Sequence, residues 1–260
     1  MVQSVERTLD ILEALASAPE DVTLSQLHTI SGLPLGTVHR LVSSLIERGY
    51  ADQDKTTRRY GPGPKILEIA AAAMRNNRFS LRYTAQPILQ TLTATTSETS
   101  NLVVLQGHEI VYVDQVVSPR LVRMFTEVGR RSPLYCTGAG KAILSALSPH
   151  QVAAYLSSTM LEPITPYTLT SASALRQELD VAQQRGYAVD NEEREEGVRC
   201  VAAPIFDHMG LCIAALSISG PTTRVTAERV HELGSMVRDA AAACSIQLGY
   251  RAETSTFAAL

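Results

Sequence analysis

The spacing of apolar residues changes near residue 80, and this change constrains the fold of the 260-residue chain more than any other feature. Before that point apolar residues recur every three or four positions, a spacing typical of amphipathic helices. Beyond it, β-rich runs such as TSNLVVLQ and IVYVDQVV alternate with helical stretches. The length itself suggests two domains. We therefore predict a multidomain α+β protein, with a small helical domain followed by a larger one built on an antiparallel sheet.

The first fifty residues have the pattern of three short helices. We predict the first over residues 2–16, the second from a Thr23 or Ser25 cap to about Ile30, and the third from Pro34 to a stop at Gly49. Two helices joined by a short turn that contains glycine describe a helix-turn-helix, whose second helix enters the DNA major groove. The residues predicted to face inward from this helix are Val38, Leu41, Leu45 and Ile46.

Donor side chains lie off the apolar face of the third helix, where they suit base edges and phosphates. These candidate DNA contacts are Thr37, His39, Arg40, Ser43 and Ser44. A hairpin that pairs 50–51 with 59–60 is predicted to follow as a wing. Lys55, Arg58 and Arg59 would lie along the phosphate backbone. The alternative for this region is a three-helix bundle that binds protein or only dimerises.

Charge is distributed unevenly along the chain, although the net charge is only -3. Residues 1–35 carry one basic residue and five acidic ones. Residues 36–78 carry eight basic residues and four acidic ones, a local net charge of +4. Because electrostatic footprints are local, this segment favours double-stranded DNA as a partner.

The linker and the second domain follow from the remaining periodicity. We predict a DNA-binding domain over 1–63, a linker helix over 64–80, a second domain over 81–250 and a flexible tail over 251–260. Helices are expected over 81–95, interrupted or kinked at Pro87, and over 137–147, 148–158, 171–185 and 226–248. Strands are expected over 99–106, 110–117, 121–125, 197–206 and 211–219.

The sequence has no catalytic or metal-binding motif that we recognise. We therefore predict that the protein is not an enzyme and that it needs no metal or cofactor. Two alternatives remain open. One is an enzyme that uses Cys136 or Cys200, although a lone cysteine in an apolar strand is more often a small core residue. The other is a constitutive DNA binder without an effector.

Cellular location is indicated by the cysteines and by the hydropathy pattern. Four cysteines without a C-x-x-C pair favour a reducing cytoplasm. The N-terminus has no signal-peptide pattern, and no run of 18 apolar residues offers a membrane span, so we expect no membrane association.

A Gly-Ala-Gly turn at 138–140 opens one predicted helix, with Arg130, Arg131 and Lys141 close in sequence. Backbone amides at such a helix start attract an anion such as a carboxylate. Tight helix packing explains the glycines equally well.

The chain resembles the IclR family of bacterial transcriptional regulators over nearly its full length. The resemblance rests on SVERTLDILEAL, LPLGTVHRLVSSLIERGY with RRYGPG, RSPLYCTGAGKAILSAL, and GYAVDNEEREEGVRCVAAPIFDHMGLCIAALSISGP. It implies a winged helix-turn-helix, a GAF-like effector-binding domain, a homodimer or homotetramer, and repression or activation of catabolic genes. The resemblance also implies a small organic acid or related metabolite as effector. The effector contacts that it implies are Met124, Leu134, Ala139, Gly140, Asp190, Cys200, Ser217 and Ser219.

Overall fold

The computed structural model describes residues 2–74 and 80–251, and its contacts divide the chain into two compact units, Met1–Asn77 and Arg78–Leu260. Each unit has its own apolar core. The last part of the predicted linker helix, at 75–79, and the predicted tail from residue 252 lie outside the described residues. The predicted domain limits at 63 and 80 stay predictions.

The first unit contains the three predicted helices, a hairpin and a fourth helix. Its elements are α1 Gln3–Ser17, α2 Leu24–Ser31, α3 Leu35–Glu47, β1 Ala51–Gln53, β2 Tyr60–Pro62 and α4 Lys65–Met74. Thr23 caps α2 through a reciprocal capping box with Gln26, as one of the two predicted caps requires. Gly32 ends α2 in the left-handed conformation, with φ +66°. The turn to α3 is held by a 2.6 Å hydrogen bond between His28 Nδ1 and the Leu33 carbonyl.

Two details of this unit correct the predictions. The fully buried face of α3 consists of Val38, Val42 and Leu45, whereas the predicted Leu41 and Ile46 are only half-buried at its margin. The predicted pairing of 50–51 with 59–60 is wrong, because Ala51 pairs with Pro62 and Gln53 pairs with Tyr60. An additional bridge joins Tyr60 to Val22, and this places the tyrosine ring in the core rather than at the hairpin tip.

The second unit is an α+β domain on one six-stranded antiparallel sheet, in the order β5-β4-β3-β8-β7-β6. Its strands are β3 Thr99–Gln106, β4 Glu109–Val116, β5 Arg131–Pro133, β6 Ala188–Asn191, β7 Val198–Phe206 and β8 Cys212–Pro221. Its helices are α5 Leu81–Thr96, α6 Gly138–Ser145, α7 Pro149–Ser158, α8 Ala172–Arg185 and α9 Val230–Gln247. The predicted mixed fold with an antiparallel sheet is confirmed.

Each face of this sheet buries a separate apolar cluster, because alternate strand residues point to opposite faces. Leu102, Val201 and Leu216 belong to the cluster that includes residues of α5 and α9. Val103, Ala202 and Ala215 belong to the cluster that includes residues of α6 and α8. Toward one end of this second face the apolar residues give way to polar ones, and there the candidate site lies.

Three predictions for the second unit need correction. Residues 121–125 are not a strand; the third strand is β5, and the strand β6 between α8 and β7 was not predicted. The predicted interruption of α5 at Pro87 is wrong, because one helix runs from Leu81 to Thr96, while the alternative of a kink there stays a prediction. A proline removes one helical hydrogen bond, but Leu89 and Leu92 pack the helix against the sheet on the buried side. Among the described helices, none combines the length and the apolar character needed to cross a bilayer.

Gly140 shows how closely α6 packs. A Cβ atom at this position would overlap the backbone of Leu134 and would lie 2.6 Å from Thr137 Oγ1, whereas one at Gly36 on α3 would meet nothing within 4 Å.

We therefore expect Gly140→Ala to lower the free energy of unfolding by about 1–3 kcal/mol, the usual cost of overpacking. The matched variant Gly36→Ala is expected to raise it by about 0.5–1 kcal/mol, because alanine is the better helix former. Urea unfolding followed by circular dichroism measures both changes. An unchanged midpoint for Gly140→Ala would contradict the packing described here.

Candidate functional site

The exposed side of α3 carries the donor groups that the sequence analysis selected. His39, Arg40, Ser43 and Ser44 are exposed, and Thr37 is half-buried. Ser44 Oγ donates a 3.0 Å hydrogen bond to the carbonyl of Arg40, so this hydroxyl is partly engaged with its own helix. The buried residues of α3 lie on its other side and fix which residues face outward.

The tip of the hairpin between β1 and β2 is organised by Asp54. Its Oδ1 atom accepts hydrogen bonds from the amides of Thr56 and Thr57, at 2.9 and 2.6 Å, and from the Thr57 hydroxyl. These bonds hold the pKa of the Asp54 carboxyl below its ordinary value. Lys55 and Arg58 are exposed around this tip, with Arg58 in the left-handed conformation at φ +59°.

Arg59 is placed differently from the other two predicted phosphate contacts. It is half-buried, and its Nη1 atom donates a 3.0 Å hydrogen bond to the carbonyl of Asp21, just before α2. Arg59 therefore anchors the hairpin to the helical part of the unit.

A cavity of about 460 Å³ opens in the second unit beside the polar part of the sheet. The segment 122–126 forms one wall, and 194–198 forms another. The residues that line it are Tyr112, Val122, Arg123, Met124, Phe125, Thr126, Arg130, Ser132, Arg194, Glu195, Gly197, Val198 and Pro221.

A row of polar side chains lies on the sheet directly behind this cavity. Asn101 Nδ2 donates to Ser217 Oγ at 3.2 Å and to Ser219 Oγ at 3.4 Å. Thr126, on the cavity wall, has its Oγ1 atom 2.9 Å from Asn101 Oδ1 and 2.7 Å from Gln115 Oε1. Of these residues Thr126 is the one in the cavity lining, and it is linked to both serines through Asn101. We call Asn101, Gln115, Thr126, Ser217 and Ser219 the polar sheet face.

The start of α6 meets the sheet at Cys200. A Cβ atom on Gly138 would lie 3.0 Å from Cys200 Sγ and 3.1 Å from the Cys200 carbonyl oxygen, so glycine allows a closer approach here than a larger residue would. The amide of Gly140 donates to the capping hydroxyl of Thr137 at 3.1 Å and is already satisfied. Packing therefore accounts for Gly140, and Gly138 is the glycine that faces the predicted effector residues.

Asp190 is a buried carboxyl beside Cys200, its partner in the β6–β7 register. Its Oδ1 atom accepts hydrogen bonds from the amides of Glu193, at 2.8 Å, and of Arg194, at 3.3 Å. Burial, and then the charge of Glu193, raise the pKa of Asp190 to about 7, against the opposite effect of Lys141.

Lys141 is fully buried in α6 and pairs with Glu193 across a short hydrogen bond. Glu178 Oε1 lies 3.9 Å from the same ammonium group. Burial raises the pKa of the Glu193 carboxyl, although Lys141 lowers it. The pair ties α6 to the loop that follows β6, which carries Arg194 and Glu195 to the cavity.

The cysteines do not have the environment of nucleophiles. Burial raises the pKa of Cys136 and of Cys200 to about 12 in each case. The thiolate is the reactive form of cysteine, and at neutral pH both groups are thiols. The alternative of a cysteine-dependent enzyme therefore lacks its essential group.

Two family models match the chain. The IclR helix-turn-helix domain matches residues 4–55, and the bacterial transcriptional regulator IclR C-terminal domain matches residues 75–246. The second match alone covers more than half of the chain. The chain belongs to the IclR family of transcriptional regulators.

Individual IclR relatives match the chain along its whole length. BhcR, an HTH-type transcriptional regulator of Paracoccus denitrificans, is 36% identical over 250 residues, which cover 96% of this chain and 88% of BhcR. The acetate operon repressor of Salmonella typhimurium is 37% identical over 250 residues, covering 95% and 90% of the two chains.

Solved structures of IclR proteins have the same fold. An IclR transcriptional regulator from Silicibacter superposes with a TM-score of 0.83 at 27% identity, covering 97% of this chain and 98% of the other. The Thermotoga maritima IclR structure gives a TM-score of 0.64 at 34% identity and covers 96% and 100%.

This membership confirms the predicted family and the predicted class of protein. The chain is a transcriptional regulator with a helix-turn-helix DNA-binding domain and a C-terminal effector-binding domain, and it is not an enzyme.

The predicted IclR effector contacts occupy three places. Met124 lines the cavity. Asp190, Cys200, Ser217 and Ser219 lie together, buried, on the sheet behind it. Leu134 and Ala139 belong to the apolar cluster that includes α6, as does the segment around Gly140.

Among the residues of this region that were not predicted are Asn101, Tyr112, Gln115, Thr126 and Arg194. The sequence could have indicated Asn101, because Thr99 and Asn101 are polar residues on a side of the strand that otherwise carries apolar residues. No sequence pattern indicates Arg194 as a site residue, because it stands between Glu193 and Glu195 in an acidic run.

The Lys141–Glu193 pair yields a stability prediction. Lys141→Met leaves a buried carboxylate without its cation and is expected to cost about 3–5 kcal/mol of unfolding free energy. The double variant Lys141→Met with Glu193→Leu removes both charges and is expected to recover most of that loss. Urea unfolding of the two single variants and the double variant completes the cycle. Additive losses would show that the two groups do not depend on each other.

Proposed function

We propose that this IclR regulator controls a catabolic operon by binding a two-fold operator as a homodimer or homotetramer, and that a small carboxylic acid or its derivative sets its DNA affinity. The observation that carries the effector part is the polar sheet face behind a 460 Å³ cavity. A relative named as an acetate operon repressor supports a link to the metabolism of small acids.

The DNA-binding part of the proposal rests on the exposed side of α3 and on the hairpin tip. Arg40 offers a fork of N–H donors suited to guanine or phosphate, and the neighbouring hydroxyls add further donors. Lys55 and Arg58 supply phosphate contacts at the wing, while Arg59 holds the hairpin through Asp21. In a dimer the two α3 helices need half-sites about 34 Å apart, or a multiple of that distance.

Arg40→Ala is expected to weaken operator binding by about 1–3 kcal/mol, since a single bidentate base contact contributes that much. The matched control is Arg176→Ala, which removes an exposed arginine from α8 in the other unit. The probe is a duplex selected from random DNA by the wild-type protein. Fluorescence anisotropy at several salt concentrations measures the affinities.

Size-exclusion chromatography with light scattering checks that both variants keep the wild-type oligomeric state. Equal affinities of Arg40→Ala and wild type for the selected duplex would remove Arg40 from the interface.

The effector-binding part of the proposal rests on how a carboxylate would be received. Serine and threonine hydroxyls can turn their protons toward it, and apolar contacts come from residues such as Met124 and Val122. Asp190 opposes an anion only when it is ionised. Because its pKa is about 7, the carboxyl holds its proton below that pH and can itself donate a hydrogen bond.

Carboxylic acids that bind are therefore expected to lose affinity as the pH rises through 7. Asp190→Asn keeps an oxygen acceptor for the Glu193 and Arg194 amides and should flatten this dependence between pH 6 and 8. Thermal-shift screening of carboxylic acids identifies the ligands, because a bound ligand stabilises the folded state. Calorimetry with the best acid at three pH values then gives the affinities.

A failure of every acid to bind, together with DNA affinity that ignores sequence, would favour a constitutive DNA binder. If the affinity of Asp190→Asn changes with pH as much as that of the wild type, the acid binds away from Asp190.

A further inference from the structure

The wall of the effector cavity is positively charged. Its lining includes the three arginines Arg123, Arg130 and Arg194, and one carboxylate, Glu195, so the ionised groups of the lining leave a net charge of +2. Arg123 Nη1 donates to the carbonyl of Arg120 at 3.1 Å. The remaining two arginines differ from it in having no such contact.

Arg130 and Arg194 have no side-chain hydrogen bond or ion pair to any residue within 2–74 and 80–251. The neighbouring cations are all engaged. Arg131 donates to Gln106 Oε1 at 2.6 Å and to Glu109 Oε2 at 3.3 Å, and Lys141 pairs with Glu193. Of the three cations near the Gly-Ala-Gly turn in the sequence, Arg130 alone lines the cavity.

The charges of Arg130 and Arg194 both act on the phenol of Tyr112, which lines the same cavity. Burial, with Cys200 and Asp190, raises the pKa of Tyr112, and Arg130 and Arg194 act in the opposite direction. The Tyr112 hydroxyl is therefore a neutral donor in the same cavity wall as the two cations.

Two buried contacts fix the backbone around Arg194. Its backbone amide donates to Asp190 Oδ1, and the preceding residue, Glu193, is anchored on the buried Lys141. The loop is therefore a fixed support for this cation, and Arg194 is half-buried rather than fully solvated.

We propose that the effector carries two acidic groups, the first held by the polar sheet face and the second by Arg130 and Arg194 at the cavity wall. This inference rests on the proposed function, because it assigns the ligand class of the same cavity. A ligand that covers the exposed Arg130 and the half-buried Arg194 removes water from both. A ligand with one negative charge replaces only part of the hydration that the two cations lose. A second acidic group replaces the rest through charge-assisted hydrogen bonds.

The size of the cavity agrees with this class. A volume of about 460 Å³ lies within the range for small-molecule sites, so an aliphatic diacid of about four to eight carbons fits with its ends apart. Arg130 and Arg194 are then specificity-determining residues, since they distinguish a diacid from a monoacid of equal size.

Calorimetry with matched probes tests the assignment on the full-length protein. Linear dicarboxylates from succinate to suberate are each compared with their monoamides, which have the same shape and one charge fewer. Phosphoglycolate is a separate arm for a phosphate as the second group. We expect the best diacid to bind at least about tenfold more tightly than its monoamide at pH 6.5.

Arg130→Gln and Arg194→Gln are expected to reduce that ratio to about threefold or less, and affinity for the monoamide should change little. Arg131→Gln is the matched control, because it removes the adjacent cation whose partners are Gln106 and Glu109, and the wild-type ratio should persist. Tighter binding of phosphoglycolate than of any dicarboxylate, with the same loss in the two variants, would support two acidic groups and identify the second as a phosphate.

Equal affinity for diacid and monoamide, or an unchanged ratio in both arginine variants, would overturn the assignment while leaving a monoacid effector in place. No saturable binding by any diacid also overturns it. The proposed function itself is contradicted only if monoacids and monoamides also fail to bind.

Discussion

The buried ion pair between Lys141 and Glu193 is the contact on which the effector-binding half of the molecule depends. It joins α6, which covers one face of the sheet, to the loop after β6, which forms a wall of the cavity. A lone buried charge costs several kcal/mol, so neither group is stable in this position without the other. The pair consequently fixes the loop relative to the helix.

Much of the fold can be predicted from sequence patterns that act over a few residues. The Thr23 cap, the Gly32 turn and the apolar spacing of α3 predict the helix-turn-helix, because each acts over a few residues. The hairpin register was not predictable in this way. It depends on Tyr60 reaching Val22, a partner far away in the chain, which no local pattern reports.

Only part of the candidate site could be predicted, because the rest depends on contacts between residues far apart in the chain. The motif resemblance brought Asp190, Cys200, Ser217 and Ser219 together, and the structure places them on one sheet face. Arg194 escaped prediction because its importance comes from where its loop lies, and its sequence neighbours are glutamates. The sequence predicts a strand over 121–125, but 122–126 line the cavity instead, and Thr126 is held there by its contact with Asn101.

The protonated state of the cysteines has a consequence for what the regulator can sense. Cys200 lies beside Asp190 in the sheet, and burial raises the pKa of its thiol to about 12, so it is a thiol at neutral pH. Peroxides react with thiolates, so this cysteine is a poor target for oxidants. Cys200 is therefore not expected to make the regulator respond to a change in the redox state of the cell.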